Sequence, residues 1–132
     1  MLILYPCRPH VTLSLHRLKY IPMINIYDCR AFSAEEIINY MIGLNPSLKH
    51  VANRRRIYVG ATRNIEERLY RHNAEDEVIF CAQTAHQNVA AKVEALAYNL
   101  GFNIGSVKWG GNGTNSYSIY VYAYRITDNT IE

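Results

Sequence analysis

Hydrophobic and polar positions follow two different spacings along this chain, and the change from one to the other predicts a series of short elements. Apolar residues at helical spacing predict helices at residues 33–43, 64–72 and 88–100, with a shorter helix at 47–53. Extended runs rich in Ile, Val and Tyr predict strands at residues 23–28, 57–60, 78–81 and 117–126. Because strands alternate with helices, the sequence predicts an α+β (mixed α/β) domain.

Polar residues mark the starts of two of these helices. Ser33 is followed three residues later by Glu36, and Asn64 is followed by Glu67, which is the spacing of a capping box. Residues 1–22 differ from the rest, with three prolines, two cationic patches and only a short β-like run at 11–15. We therefore predict an N-terminal extension of uncertain role at 1–22 and one domain at 23–132, with Met23 as an alternative start.

Composition and charge narrow the class of protein. A 49% hydrophobic content supports a buried core, and no apolar run approaches the length of a membrane span. The formal net charge of +3 is small for a dedicated nucleic-acid binder, so local clustering matters more. Three irregularly spaced cysteines predict neither a zinc site nor a disulfide framework, which favours a reducing, cytoplasmic setting.

Basic residues cluster between residues 54 and 72, and a solvated face is the ordinary explanation of such a cluster. Helical spacing, however, puts Arg68 and His72 beside Ile65 and Leu69 on the apolar side of their helix. An unpaired buried cation is costly. Arg68 therefore snorkels at the edge of the stripe, pairs with an acid such as Glu94, or has a function.

Glu94 is a second candidate, because it lies off the apolar stripe of its helix between Ala90 and Ala97. These small neighbours leave room for a ligand, although an ordinary solvated glutamate is the better explanation of the pattern alone. A lone carboxylate can hold Mg²⁺ only when a substrate phosphate and water complete the octahedron.

The segment 56–72 resembles the second half of the GIY-YIG nuclease signature, particularly in its homing-endonuclease branch. Its sequence is Arg-Ile-Tyr-Val-Gly-Ala-Thr-Arg-Asn-Ile-Glu-Glu-Arg-Leu-Tyr-Arg-His. That pattern is a strand ending in Tyr-(Ile/Val)-Gly, a capped turn, and a helix with an arginine and often a histidine one turn later. Downstream, Glu94, Gly-Phe-Asn-Ile at 101–104 and Gly-Gly-Asn-Gly at 110–113 are similar to that branch's metal-binding glutamate, Gly-Tyr-Asn segment and Gly-Gly-x-Gly loop. The resemblance covers residues 23–113.

The resemblance implies a metal-dependent endonuclease that hydrolyses phosphodiester bonds in DNA. The implied fold is a small, mostly antiparallel central sheet flanked by helices, with a helical insertion at about 33–53. The implied cofactor is one divalent ion, Mg²⁺ or Mn²⁺, and the implied partner is double-stranded DNA. The protein would act as a monomer or weak dimer, and family habit suggests a phage or other mobile element.

The resemblance also implies a role for each matching residue. Tyr58 would position or deprotonate the attacking water, and Arg68 would hold the scissile phosphate. Glu94 would bind the metal, and His72 would donate a hydrogen bond or shuttle a proton. Gly60 and Asn103 would support the site structurally. Contacts to nucleic acid would come from basic side chains, namely Arg54, Arg55, Arg56, Arg63, Arg71 and Lys108.

The two tyrosines of the signature raise separate expectations. A tyrosine with a pKa of about 10 is a poor base, so Tyr58 is expected to need nearby cations such as Arg63 and Arg68. The best candidate for the first motif, Asn-Ile-Tyr at 25–27, lacks the family's glycine and lies far upstream. In the family the two motif strands pair, so Tyr27 is expected to lie beside Tyr58 as a catalytic residue.

Two other features have ordinary explanations beside functional ones. The glycine-rich stretch 110–113 lacks the lysine of a P-loop and is interpreted as a tight connection. The tyrosines of the last strand could stack on bases, but packing in a half-buried strand is the simpler explanation; they are Tyr117, Tyr120, Tyr122 and Tyr124.

Three hypotheses remain after the sequence is read. The first is the endonuclease. The second is a catalytically degenerate module of the same fold that binds nucleic acid or protein. The third is an unrelated α/β interaction protein in which the motif is coincidental. The convergence of Tyr27, Tyr58, Arg68 and Glu94 on one surface would separate them.

Overall fold

A computed structural model describes residues 9–12 (backbone alone), 24–105 and 118–132. The sequence predictions for Lys108, Tyr117, the glycine-rich stretch 110–113 and most of residues 1–22 lie outside these ranges. The five described strands are β1 (Pro9–Thr12), β2 (Ile24–Asp28), β3 (Ile57–Thr62), β4 (Val78–Gln83) and β5 (Tyr120–Arg125).

The strands form a single sheet in the order β1-β2-β4-β5-β3. The pair β2–β4 is parallel, and the other three pairs are antiparallel. Within the described ranges, four α-helices accompany the sheet: α1 (Ala34–Leu44), α2 (Val51–Arg54), α3 (Ile65–Arg71) and α4 (Gln87–Asn99). The predicted α+β class with a mostly antiparallel sheet is therefore confirmed.

Helix positions also match the sequence pattern, with one difference. The predicted helix at 47–53 is split into a 3-10 turn at Pro46–Lys49 and the single turn of α2. Pro46 fits the first turn of such a helix because its missing N–H is not needed there. No helix among the described residues is long and apolar enough to cross a membrane.

Both faces of the sheet are covered, and strand alternation assigns residues to each face. On β3, Ile57, Val59 and Ala61 join the core beneath α1 and α4, whose own buried residues include Ile37 and Val93. The intervening Tyr58 faces the other way, into a second core that contains Ile65 and Leu69 of α3. Because neighbouring strand residues point to opposite faces, one short strand supplies both cores.

Helix α3 is held at both ends by local hydrogen bonds. The Asn64 side-chain oxygen accepts the Glu67 backbone N–H at 3.1 Å, as the sequence predicted for this cap. Beyond the helix, Asn73 adopts a left-handed conformation with φ of 52°. The Ala74 N–H then bonds the Leu69 carbonyl at 2.9 Å, which closes the last turn. This ending fixes the position of His72.

The predicted pairing of the strands around Tyr27 and Tyr58 is wrong. Two strands, β4 and β5, lie between β2 and β3. Tyr27 also points to the opposite face, where its ring lies 5.4 Å from that of Tyr40 and 5.8 Å from that of Phe80. The physical reason is that β5 occupies one edge of β3 while backbone hydrogen bonds to Asn103 occupy part of the other edge, and β2 pairs with β4 instead.

The cysteines depart from the sequence prediction as well. Cys29 is disulfide-bonded, whereas Cys81 is a free thiol buried in the second core. The predicted absence of a disulfide framework did not include this single bond. Sequence spacing gave no signal because a disulfide depends on the spatial approach of two Cβ atoms, which the fold decides.

Candidate active site

Four of the predicted catalytic residues converge at the β3 edge of the sheet. Strand β3 is an edge strand and carries Tyr58, while α3 brings Arg68 and His72 over the same face. Glu94 comes from α4, on the other face, and reaches the edge of β3 by accepting the Ala61 backbone N–H. Tyr27, the fifth predicted catalytic residue, lies apart from this group.

A second tyrosine joins Tyr58, and it comes from β5. Tyr122 is fully buried, is hydrogen-bonded to Tyr58, and lies with its hydroxyl 2.9 Å from His72 Nε2. The neighbouring Tyr124 stacks on Tyr58 with ring centroids 5.0 Å apart. From the sequence, these tyrosines are predicted to pack in a half-buried strand. Their alternation shows that they share one strand face, but it could not show that this strand lies beside β3.

The His72 ring has three hydrogen-bond partners. Its Nδ1 lies 2.6 Å from the Ile131 carbonyl oxygen and 3.2 Å from the Tyr124 hydroxyl, and its Nε2 lies 2.9 Å from the Tyr122 hydroxyl. Burial lowers the pKa of His72, and the positive charge of Arg68 adds to this, while the Ile131 carbonyl acts in the opposite direction. The imidazole is therefore mainly neutral at pH 7.

The expected influence of a nearby cation on Tyr58 is present, because Arg68 acts to lower its pKa, but other effects outweigh it. Burial raises the pKa of Tyr58, and the negative charge of Glu94 raises it further. The hydrogen bond from Tyr122 and the positive charge of Arg68 oppose these effects without overcoming them. A phenolate at Tyr58 is therefore less accessible than in water, because a low-dielectric environment disfavours the charged form.

Glu94 occupies an unusual environment for a carboxylate. Burial raises its pKa to about 7, although the Ala61 N–H and Arg68 both favour the ionised form. Its Oε1 is buried and has no hydrogen-bond partner within the part of the chain that the structure describes. An orphaned oxygen of this kind fits a divalent cation, which would supply the missing positive charge.

Arg68, like Glu94, has a buried polar atom without a hydrogen-bond partner among the described residues. It hydrogen-bonds the Tyr122 hydroxyl and acts electrostatically on Tyr58 and Glu94. Its Nε atom is nevertheless buried without a partner among the described residues. The alternatives of snorkelling and of pairing with Glu94 therefore leave one N–H of the guanidinium unexplained.

No group of three or more His, Cys, Asp or Glu in the described ranges could hold a metal.

The two predicted supporting residues contact the site through the backbone. Asn103 accepts the Val59 N–H at 2.8 Å and donates to the Ile57 carbonyl at 2.9 Å, so it pairs with the outer edge of β3. Gly60 lies opposite Tyr122 in the β3–β5 pair. Its missing Cβ leaves the space in which the Tyr122 ring lies.

Of the arginines predicted to contact nucleic acid, two are bonded to other groups of the protein and three are exposed at the ends of β3. Arg54 is engaged, because it donates to the Leu48 carbonyl at 2.7 Å and to the Leu100 carbonyl at 3.0 Å. Arg71 forms an ion pair with Glu67 at 2.7 Å. The other three described arginines of the set are exposed at the two ends of β3, with Arg55 and Arg56 before the strand and Arg63 after it.

Comparison of the whole chain with protein-family models, with curated proteins and with solved structures gives no match.

Proposed function

We propose that this protein is a metal-dependent endonuclease that hydrolyses phosphodiester bonds in double-stranded DNA. The observation that carries the proposal is the pair of incomplete buried groups beside Tyr58, namely Arg68 Nε and Glu94 Oε1. A buried polar atom without a partner costs free energy, so a native protein keeps one where a ligand completes it. A phosphate with a divalent cation would complete both groups together.

Arg68 is suited to the phosphate. Its planar guanidinium matches the oxygens of a phosphate and stays charged at any physiological pH. Because the guanidinium is partly buried, its attraction for developing negative charge is screened less than it would be in water. Arg68 would therefore bind the scissile phosphate and stabilise the extra charge of the transition state.

Glu94 is suited to the cation, and Mg²⁺ or Mn²⁺ prefers oxygen ligands of this kind. When bound, the ion would act as a Lewis acid on the phosphoryl group and stabilise charge on the leaving oxygen. Glu94 would hold the ion and release its own proton on binding, because a metal ligand must be ionised.

Exposed arginines at the ends of β3 support DNA as the partner. At about 3.3 Å per residue, Arg56 and Arg63 are separated by roughly 23 Å of strand, and the site lies between them. Phosphates on a duplex could contact both ends while one phosphate reaches Arg68. Contacts of this kind fix the position of a protein on DNA without reading its sequence.

The test is cleavage of supercoiled plasmid with and without Mg²⁺ by the wild-type protein, Arg68→Ala and Glu94→Gln. We expect nicking that needs the metal and that falls by about 100-fold or more in either variant. Lys49→Ala and Glu35→Gln are matched controls, because both residues are exposed and lie on the α1 side of the sheet. Both controls should cleave at the wild-type rate.

Three other outcomes would each contradict a part of this proposal. If the wild-type protein binds DNA in a salt-sensitive way but does not cleave it, a degenerate binding module explains the fold better. Cleavage of RNA duplexes in preference to DNA would correct the substrate. Cleavage that survives both Arg68→Ala and Glu94→Gln would contradict this assignment of the site.

A further inference from the structure

A pocket of about 490 Å³ lies at the outer edge of β3, and sites for small molecules typically enclose about 300–1,000 Å³. We propose that this pocket binds one unpaired nucleotide of the DNA substrate, next to the scissile phosphate. This inference rests on the proposed nuclease function, and it adds the form of DNA that the site accepts. The lining residues that carry the argument are Arg55, Tyr98, Asn103, Gly105 and Glu132.

Gly105 brings the wall of the pocket to the hydroxyl group of Tyr58. A Cβ at position 105 would lie 2.9 Å from Tyr58 Oη, so the glycine backbone approaches that hydroxyl closely. Two residues earlier, the Asn103 N–H donates to the Ile57 carbonyl at 2.9 Å and the Asn103 carbonyl accepts the Val59 N–H at 2.8 Å. Because these bonds hold the wall against β3, the pocket borders the proposed active site.

Helix α4 links the pocket to the proposed metal ligand as well. Tyr98 follows Glu94 by four residues, and residues at this spacing lie on one helix face with Cβ atoms about 5–6 Å apart. Glu94 reaches the edge of β3 at the Ala61 N–H, and Tyr98 lines the pocket one turn further along α4. A DNA strand with a phosphate bound at Glu94 and Arg68 would therefore pass Tyr98 with a neighbouring nucleotide.

Tyr98 offers an aromatic surface for a base. It is 52% exposed, so a large part of its side chain is accessible to a ligand. Every base has a π-face, and stacking on a tyrosine is therefore tolerant of sequence. Inside a duplex each base is already stacked between its neighbours, so it must leave the helix before it can stack on Tyr98. This step costs least for a base that is unpaired from the start, which is how the pocket would select its substrate.

The polar residues of the pocket match the rest of a nucleotide. Arg55 is exposed and its guanidinium can only donate hydrogen bonds, which suits the phosphate. Glu132 is also exposed, and a carboxylate suits the N–H groups at the edge of a base. The Asn103 side-chain amide has both donors and acceptors for the same edge. Opposite charges on Arg55 and Glu132 would thus orient the nucleotide.

The test is DNA binding in EDTA, measured by fluorescence anisotropy with two duplexes that have the same number of base pairs. One duplex is fully paired, and the other carries a single unpaired 5-iododeoxyuridine at its centre. We expect the wild-type protein to bind the second duplex about 10-fold more tightly and, under ultraviolet light, to cross-link the iodinated base to Tyr98. Tyr98→Ala should remove this preference, whereas Tyr98→Phe should keep it because a phenyl ring still stacks.

Tyr70→Ala is the matched control, because Tyr70 is 61% exposed but lies on α3, away from the residues that line the pocket. It should keep the preference. The subsite is overturned if the wild-type protein binds both duplexes equally, if Tyr98→Ala keeps the preference, or if the base cross-links outside the pocket. A wild-type protein that shows the preference but does not cleave plasmid with Mg²⁺ would overturn the nuclease proposal alone, so the two failures are distinguishable.

Discussion

Gly60 faces the outer half of the Tyr122 ring across the β3–β5 pair, and a Cβ at position 60 would come within 2.5 Å of Tyr122 Oη. The Tyr122 side chain is fully buried and hydrogen-bonded to His72, so it has little freedom to move aside. The glycine of the Tyr-Val-Gly segment is thus required by the position of a tyrosine more than 60 residues later in the chain.

The first prediction is that Gly60→Ala destabilises the protein. Overpacking a buried site typically costs about 1–3 kcal/mol, so the free energy of unfolding should fall by about 2 kcal/mol in urea denaturation. Gly43→Ala is the control, because its new Cβ meets nothing within 4 Å and lies in helix α1. There the unfolding free energy should rise by about 0.5 kcal/mol. Wild-type stability in Gly60→Ala would contradict the close approach.

The second prediction separates the two tyrosines of the sequence motif. Tyr58→Phe should lower the cleavage rate by about 100-fold, whereas Tyr27→Phe should change it by less than about twofold. The reason is that Tyr27 packs against Tyr40 and Phe80 on the opposite face of the sheet. Plasmid cleavage measures both rates, with circular dichroism as the check on folding. Equal losses in the two variants would mean that Tyr27 acts at the site.

The third prediction concerns pH and stability in the absence of divalent metal. With a pKa of about 7 instead of 4.5, folded Glu94 binds a proton more tightly than the unfolded chain does. Between these two pH values the native state holds more protons, so the Glu94 contribution lowers stability as pH rises. Glu94→Gln should therefore exceed the wild-type protein in stability at pH 8, by about 2–3 kcal/mol, and equal it near pH 4.

Urea denaturation in EDTA at the two pH values measures this difference. Glu35→Gln, at an exposed position of α1, controls for the loss of one carboxylate. Addition of Mg²⁺ at pH 8 should stabilise the wild-type protein but not Glu94→Gln, because a ligand that binds only the native state raises the unfolding free energy. A difference that is the same at pH 4 and pH 8 would refute the raised pKa.

The fourth prediction concerns the salt dependence of DNA binding. Each phosphate contact contributes about 0.9 to the slope of log affinity against log salt, so Arg63→Ala should reduce the magnitude of that slope by about one. Arg54→Ala is the matched arginine control, because the Arg54 guanidinium is already bound to the Leu48 and Leu100 carbonyls. It should lower thermal stability and leave the slope unchanged. Fluorescence anisotropy with labelled duplex DNA measures both slopes.

Most of the helices and strands could be predicted from the sequence, because they depend on interactions between residues that are close along the chain. The Ser33 and Asn64 caps, the apolar spacing of α1 and α4, and the β-type runs of β2 to β5 depend on residues close in sequence. The predicted grouping of Tyr58, Arg68 and His72 was accessible for the same reason, because one strand and the helix that follows it carry all three. Glu94 needed the family resemblance, since its own helix pattern fits a solvated carboxylate better.

The tertiary structure alone decided which strand lies beside β3. Periodicity gives each strand its two faces but not its neighbours, because any strand with a matching apolar face can pair with the next. The sequence prediction therefore placed Tyr27 beside Tyr58, where the structure has Tyr122 of β5. Burial, which raises the pKa of Tyr58 and Glu94, likewise depends on what the whole chain packs around them. Sequence determined the elements and one half of the site, and long-range packing determined the other half.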